Sequence, residues 1–246
     1  MKHCHWKLFL FFLLAACASD KESLKDRTVE SIYRKASHLL NDSEYTDAAT
    51  EFKDIDTLFP YSAKASEGQI LAAYCHFLAS NYQDSLREIE VFLRYHPSHE
   101  LALYAMYLKA ANLYMGVSSV GRDSKATLEA KRAFVELINK FPNSKYRNDS
   151  LRRIIILDDL IAAHEMLIGR FYQKNKNALA AIGRYNFVTS NLHHTNYAPE
   201  AYYRILECCS SIGLKEEAQG ARGALKLWYP DNTWSKKADL LLKSSL

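Results

Sequence analysis

Residues 45–60 read YTDAATEFKDIDTLFP, and this stretch decides the fold. Its apolar residues recur at intervals of three and four: Tyr45, Ala48, Ala49, Phe52, Ile55 and Phe59. This spacing places them along one face of an α-helix, whereas a half-buried strand would show alternation. A proline closes the stretch, and proline ends helices because it has no backbone N–H to donate. The stretch therefore predicts an amphipathic helix whose apolar face must be buried against another element.

The same pattern recurs along the chain. Four of the five prolines end such a helical pattern and follow an aromatic residue or a histidine: Pro60, Pro97, Pro142 and Pro230. Tyr45 and Tyr82 each stand fifteen residues before one of them. The first two prolines are 37 residues apart, close to the tetratricopeptide period of about 34 residues. The next interval of 45 residues holds an insert at residues 116–123, and the last, of 88, accommodates two repeats.

The repeat predicts an all-α solenoid of about five tetratricopeptide-like helix pairs. The predicted pairs span residues 29–60, 62–97, 99–142, 147–190 and 198–230, and a last helix spans residues 233–243. Such a pair cannot bury its apolar face alone, so stacking the pairs gives a continuous core. The solenoid would run from residue 29 to residue 246, with N-terminal pairs at 29–142 and C-terminal pairs at 147–246.

The start of the chain has a different pattern. Lys2 and Lys7 precede an uncharged apolar run, residues 8–16, which ends in Leu-Ala-Ala directly before Cys17. A run of this length fits an export signal, and it is too short to span a bilayer, which takes about 20 residues. The order resembles a bacterial lipobox, which implies cleavage after Ala16, diacylglycerol on the Cys17 sulfur and an acyl chain on its nitrogen. An ordinary secretory signal or a buried N-terminal helix are the alternatives.

A lipobox divides the chain into a signal peptide at residues 1–16 and a mature protein that begins at Cys17. Residues 17–28 are polar and charged, which predicts a flexible tether between the lipid and the first helix. Ala18 follows the cysteine, where an aspartate commonly retains lipoproteins in the inner membrane. We therefore expect an outer-membrane lipoprotein that faces the periplasm.

The charge and cysteine content of the chain limit the functions that it can be expected to have. The chain has 32 Lys and Arg against 28 Asp and Glu, and removal of Lys2 and Lys7 with the signal leaves 30 against 28, a net charge of +2. This near-neutral balance gives no indication of nucleic-acid binding. Cys75, Cys208 and Cys209 are interpreted as small buried apolar residues, although the sequence leaves open whether any of them forms a disulfide.

Motifs for catalysis or metal binding are weak, so we expect neither an enzyme, nor a metal site, nor a cofactor other than the lipid on Cys17. His164-Glu165 would need a second histidine at position 168 to form the zinc motif HExxH, and that residue is isoleucine. His96 and His99 have no obvious third ligand. A cell-envelope hydrolase remains the alternative from another function class.

Aromatic residues indicate binding instead. The chain has 16 Tyr, 11 Phe and 3 Trp, and the concave face of a solenoid can hold an extended peptide. Tyrosine rings beside a few cations suit an apolar segment that ends in a carboxylate. We place Tyr61, Tyr74, Arg94 and Tyr104 in such a groove.

Several local sequences occur together with the lipobox and the helix pairs: FPYS at 59–62, FLRYHPSH at 92–99, YAMYLK at 104–109, HEMLIGRFY at 164–172, PEAYYR at 199–204 and YPD at 229–231. The whole chain resembles the BamD family, outer-membrane lipoproteins of the β-barrel assembly machinery. The resemblance implies that the N-terminal pairs receive unfolded outer-membrane β-barrel proteins. It also implies that the C-terminal pairs dock the periplasmic domains of the barrel-forming subunit BamA.

One residue can be carried over from the family. Arg184, in the segment AAIGRY at 180–185, matches an arginine near the BamA docking surface, while Leu179 and Ile182 are expected to face the interior of the pair. A solvated Arg184 that pairs with a local carboxylate is the alternative. The segment 191–196 departs from the family, where a second proline-containing turn is common. A different tetratricopeptide lipoprotein, such as a pilotin-like factor for pilus assembly, is the alternative function.

Overall fold

The computed structural model describes residues 27–117 and 124–243, so Cys17, Ala16 and the signal peptide lie outside the described residues. The described chain forms eleven helices and no strand, which confirms the predicted fold class. They are α1 (Val29–Asn41), α2 (Tyr45–Leu58), α3 (Ala65–Leu78), α4 (Tyr82–Tyr95), α5 (Ala102–Met115), α6 (Lys125–Lys140), α7 (Arg147–Lys174), α8 (Ala178–Asn191), α9 (Ala198–Ser211), α10 (Lys215–Trp228) and α11 (Thr233–Lys243).

The four intra-pair turns that the structure describes in full have the same backbone structure. Each contains one residue with a left-handed φ, between 60° and 79°: Ser43, Ser80, Lys176 and Gly213. In each, the N–H after this residue donates to the carbonyl five residues earlier at 2.8–3.0 Å, as from Glu44 to Leu39. This bond belongs to the Schellman motif, which satisfies the free carbonyls at a helix end. The two helices of each of these pairs are therefore joined by the same turn.

The loops between pairs also repeat. After α2, the N–H of Ser62 donates to the Phe59 carbonyl and that of Ala65 donates to Ser62, and equivalent bonds follow α4, α6, α8 and α10. The loop after α8 has these bonds although Leu192-His193 replaces the aromatic-proline pair. The departure at residues 191–196 therefore leaves the course of the fourth pair unchanged.

The helices form an inner and an outer layer. Besides contacting its neighbours in sequence, α3 contacts α5, α7 contacts α9, and α9 contacts α11. Comparable contacts between successive even-numbered helices are absent from the described structure. Helices on the concave side of a curved stack lie closer together, so the odd-numbered helices form the inner layer and the even-numbered helices the outer layer.

Helix α7 is twice as long as most of the others, with 28 residues against 14. Leu157, in its first half, packs in one core cluster with Phe134 of α6. Met166, in its second half, packs in another cluster with Tyr185 of α8 and residues of α9 and α10. One helix thus supplies core residues to both halves of the solenoid.

Asp158 lies at the middle of α7 and is 3% exposed. Its carboxylate forms an ion pair with Lys131 of α6 and lies 3.0 Å from His194 Nε2 in the loop after α8. Asp158 is therefore a buried, paired carboxylate and neither a solvated nor a helix-capping residue. A buried carboxylate needs such partners because desolvation penalises an unpaired charge.

The predicted tether extends too far. Arg27 is largely buried, and its guanidinium pairs with Glu51 and with Asp54 of α2, at 2.7 Å for the second pair. Thr28 is the N-cap of α1 and exchanges hydrogen bonds with Ser31 in a capping box. Residues 27 and 28 therefore belong to the solenoid, because their side chains fix the start of α1.

Tyr185 accounts for a glycine in α7. Its ring is fully buried directly over Gly169, where a methyl group would lie 2.8 Å from Cδ1 and closer to Cε1. The Tyr185 hydroxyl donates to Gln173 Oε1 at 2.8 Å, which holds the ring in place.

We predict opposite effects for two glycine-to-alanine changes. Gly169→Ala should lower the free energy of unfolding by about 1–3 kcal/mol, as overpacking does. Gly183→Ala, in α8, should raise it by about 0.5–1 kcal/mol, because nothing lies within 4 Å of the added methyl group and alanine favours a helix over glycine. Urea unfolding followed by circular dichroism measures both. Equal effects would show that the Tyr185 ring can move aside.

Candidate functional site

Four tyrosines form a continuous cluster on the inner layer. Tyr74 of α3 contacts Tyr104 of α5 edge-on, with ring centroids 6.4 Å apart, and Tyr104 lies 6.2 Å from Tyr146 at the start of α7. Tyr146 in turn stacks on Tyr107 of α5 at 4.2 Å. We call Tyr74, Tyr104, Tyr107 and Tyr146 the tyrosine cluster. It joins the second, third and fourth helix pairs, and all four rings are partly exposed.

A charged network orients one end of the tyrosine cluster. The Tyr107 hydroxyl donates to Asp149 Oδ2 at 2.9 Å, and Arg153 Nε donates to the same oxygen at 2.7 Å. Partial burial disfavours the charged form of Asp149, but the hydrogen bonds from Arg153 and Tyr107 outweigh it and lower the pKa of this carboxyl. Burial and the bond to Asp149 raise the pKa of Tyr107. Tyr107 therefore stays a neutral donor at physiological pH.

Two cations border the tyrosine cluster. The Lys145 ammonium lies 5.1 Å from the centre of the Tyr146 ring, and Arg147, the first residue of α7, is exposed. Neither has a carboxylate partner among the ion pairs of the described chain. Ring faces beside free cations can hold an apolar group next to a carboxylate.

Only two of the four residues predicted for the groove lie together. Tyr74 and Tyr104 are in contact on the inner layer. Tyr61 is fully exposed, at 102%, in the loop between α2 and α3. Arg94 lies near the end of α4, in the outer layer, and lines a groove with Glu90, Met106 and Lys140. The predicted position of Arg94 on the concave face is therefore wrong, and Tyr61 is apart from the tyrosine cluster.

Arg184, the predicted docking residue, lies on α8 and is partly exposed. Its Nη1 donates to Glu165 Oε2 of α7 at 3.1 Å, and the Glu165 side chain is only 13% exposed. The structure thus agrees with the alternative prediction, in which Arg184 pairs with a local carboxylate. The expected inward position of Leu179 is wrong, since this side chain is 69% exposed.

Leu179 instead borders an apolar groove. The groove has a volume of about 310 Å³ and runs between α8 and α10 over α9, with Ile182, Tyr202, Leu214 and Ala221 among its lining residues. Leu179, Ile182 and Asn186 are spaced by three and four residues and share one face of α8, while Arg184 lies on another. The groove and Arg184 therefore present two faces of the same outer helix.

The histidines considered for metal binding have other contacts. The rings of His96 and His99 each lie 5.4 Å from Phe92, and His99 Nδ1 accepts from the backbone N–H of Leu101 at 3.1 Å. Residues 27–117 and 124–243 contain no group of three His, Cys, Asp or Glu side chains placed for a metal ion. Over the same residues, no helix has the length and apolar character needed to cross a membrane.

Sequence comparison decides the family. The sequence model of a family described as outer membrane lipoprotein, YfiO, matches residues 25–225, which is most of the chain and almost the whole solenoid. The chain belongs to this family.

Two relatives match almost the whole length of this chain. It is 35% identical to the outer membrane protein assembly factor BamD of Rickettsia prowazekii, over 96% of this chain and 95% of that one. It is 31% identical to the protein of the same name from Caulobacter vibrioides, over 94% and 77% of the two chains. A crystal structure of a TPR repeats protein from Bacteroides fragilis aligns with a TM-score of 0.50 at 15% identity, over 89% and 99%, which shows the repeat fold.

Two members of the tyrosine cluster, Tyr107 and Tyr146, were not predicted from the sequence. Tyr107 follows Tyr104 by three residues, a helical spacing that places both rings on one side of α5. Tyr146 lies in a loop, where no periodicity exists, so its stacking on Tyr107 could not be predicted. Cys75, Cys208 and Cys209 are free and buried, as interpreted.

We predict that Asp149 stabilises the protein in a pH-dependent way. Its pKa is lowered in the folded state, so its contribution is present above the ordinary aspartate pKa of about 4 and is lost as the pH falls through the folded value. The difference in free energy of unfolding between the natural protein and Asp149→Asn should therefore be large at pH 7 and shrink towards pH 3.

Urea unfolding between pH 7 and pH 3 measures this difference. Asp231→Asn is the matched control, because Asp231 is exposed and no hydrogen bond or ion pair of its side chain occurs in the described chain. A difference for Asp149→Asn that stays constant with pH would contradict the prediction.

Proposed function

We propose that this chain is a lipid-anchored, non-enzymatic scaffold of outer membrane protein assembly. Its family membership supports the role, since relatives that match almost its whole length carry the name outer membrane protein assembly factor BamD. These names favour barrel assembly over pilus assembly. A lipid on Cys17 would hold the solenoid at the periplasmic face of the outer membrane, where unfolded barrel proteins arrive.

The tyrosine cluster is the proposed site for these unfolded clients. It is the observation that carries the proposal, because its partly exposed rings cross three helix pairs on the concave layer. Lys145 and Arg147 lie at one end of the tyrosine cluster, where Asp149 is already occupied by Arg153 and Tyr107. A client segment that ends in an aromatic residue would place its ring on the tyrosines and its terminal carboxylate beside Lys145.

We predict that a peptide ending in phenylalanine with a free carboxylate binds more tightly than the same peptide with a C-terminal amide. Lys145→Gln should remove this preference, which we expect to be about 0.5–1 kcal/mol because the cation is exposed. Fluorescence anisotropy with both peptides measures it. Lys140→Gln is the control, since Lys140 lies beside Phe141 outside the tyrosine cluster. An unchanged preference in Lys145→Gln would place the carboxylate elsewhere.

The proposed docking surface for BamA is the outer side of the C-terminal pairs. It combines the apolar groove between α8 and α10 with Arg184 on a neighbouring face of α8. The exposed Leu179 gives a partner apolar area to bury. Arg184 would keep its bond to Glu165 or exchange it for an acidic group on BamA, and a guanidinium fork suits either carboxylate.

We predict that Arg184→Leu weakens co-purification with BamA about tenfold or more, because truncating one side of a buried interface pair costs about 2–5 kcal/mol. The variant also leaves Glu165 unpaired, so its thermal unfolding temperature should fall. Glu165→Gln removes the same internal ion pair but keeps Arg184, and it should retain BamA.

Comparison of the two variants separates docking from stability. Loss of BamA from Glu165→Gln to the same degree as from Arg184→Leu would show that Arg184 acts only within the solenoid. Retention of BamA by both variants through high-salt washes would exclude Arg184 as a docking residue.

A further inference from the structure

All loops between pairs lie at one edge of the solenoid, since each joins the end of an outer helix to the start of the next inner helix. The intra-pair turns lie at the opposite edge. Arg27 leads into α1, the first inner helix, so the chain also enters the described structure at the edge of the loops. We call this side of the first two pairs the loop edge, made of residues 58–64 and 94–97.

The loop edge exposes large apolar side chains that the fold does not use. Leu58 and Tyr95 are the last residues of α2 and α4, and they are 40% and 70% exposed. Tyr61, in the loop that follows Leu58, is completely exposed. None of the three belongs to a core cluster, and neither tyrosine pairs with another ring in the described chain. Isolated exposed apolar residues are common, but these three recur at one edge.

The predicted lipid attaches close to these residues. Arg27 Nη1 lies 2.7 Å from Asp54 Oδ2, and Asp54 precedes Leu58 by one helical turn, or about 6 Å along the axis. Cys17 and Arg27 are ten positions apart, a length of chain that spans about 35 Å at most. A lipid on Cys17 therefore keeps the loop edge within reach of the bilayer surface.

We propose that the loop edge rests on the headgroup region of the membrane that holds the anchor, with Tyr61 and Tyr95 inserted among the headgroups. The inference rests on the proposed lipid at Cys17. Tyrosine suits this position because its ring is apolar and its hydroxyl remains hydrated, as in the aromatic belts of membrane proteins. The orientation would leave the concave layer, and the tyrosine cluster on it, open towards the periplasm.

Electrostatic attraction to lipid phosphates is not what would hold the loop edge on the membrane. Lys64 and Arg94 can reach lipid phosphates, but Lys64 pairs with Glu67 at 2.6 Å, and the exposed Asp56 and Glu100 lie nearby in sequence. The contact should therefore depend on the rings and persist at high salt, because salt screens charge pairs and leaves apolar insertion intact.

The test uses the full-length lipidated chain in vesicles of phosphatidylethanolamine and phosphatidylglycerol with brominated acyl chains. An environment-sensitive fluorophore is attached to Tyr61→Cys, to Tyr95→Cys and to the control Glu44→Cys, which lies in the exposed turn at the opposite edge. The natural Cys75 and Cys208 stay unlabelled, since they are buried and burial raises the pKa of each to about 11.

We expect the probes at positions 61 and 95 to shift to shorter wavelength and to be quenched by bromine at both low and high salt. The probe at position 44 should stay unquenched. Equal signals at all three positions, in protein that floats with the vesicles, would overturn the membrane contact and leave the anchor intact. A shift that needs added BamA would also overturn it, in favour of a protein contact. Mass spectrometry that finds no lipid on Cys17 would overturn the anchor and the orientation with it.

Discussion

The structure depends on an apolar face that no helix pair can cover by itself. Each pair leaves its stripe exposed until the next pair packs on it, and helix α7 carries this dependence for both halves of the chain. Its first half completes the core around Phe134, and its second half packs around Tyr185. The buried Asp158 lies between these regions and receives Lys131 from one side and His194 from the other. The N-terminal and C-terminal pairs thus form one solenoid.

The repeat could be predicted because residues close together in sequence determine where each helix begins and ends. Helical spacing of apolar residues places the stripes, and prolines mark the helix ends, so the predicted pair 62–97 corresponds to helices at 65–78 and 82–95. The turns could be placed but not described, since three of the four left-handed residues, Ser43, Ser80 and Lys176, are not glycine. In a Schellman turn the bond to the carbonyl five residues earlier offsets the strain of such a residue.

The candidate sites were predicted less well, because periodicity shows which face of a helix is apolar but not whether a neighbour covers it. Leu179 fits an inward pattern and is exposed, because the groove between α8 and α10 stays open. Asp158 is a charged residue, a type that is usually solvated, and yet it is buried. Its partners, Lys131 and His194, are distant in sequence, so local periodicity does not show them. Tyr74 and Tyr104, both placed in the predicted groove, are in contact because they occupy successive inner helices, and their role in binding a peptide stays a prediction.

The length of α7 also has a mechanical consequence. Its 28 residues extend about 42 Å. The tyrosine cluster lies at its N-terminal end, and Glu165, the partner of Arg184, lies eighteen residues after Arg147, or about 27 Å along the axis. A continuous helix packed on both sides resists bending far better than a loop of the same length. Helix α7 is therefore a rigid element between the tyrosine cluster and the face of α8 that carries Arg184. The tyrosine cluster is thereby kept at a constant distance and angle from the ion pair of Arg184 and Glu165.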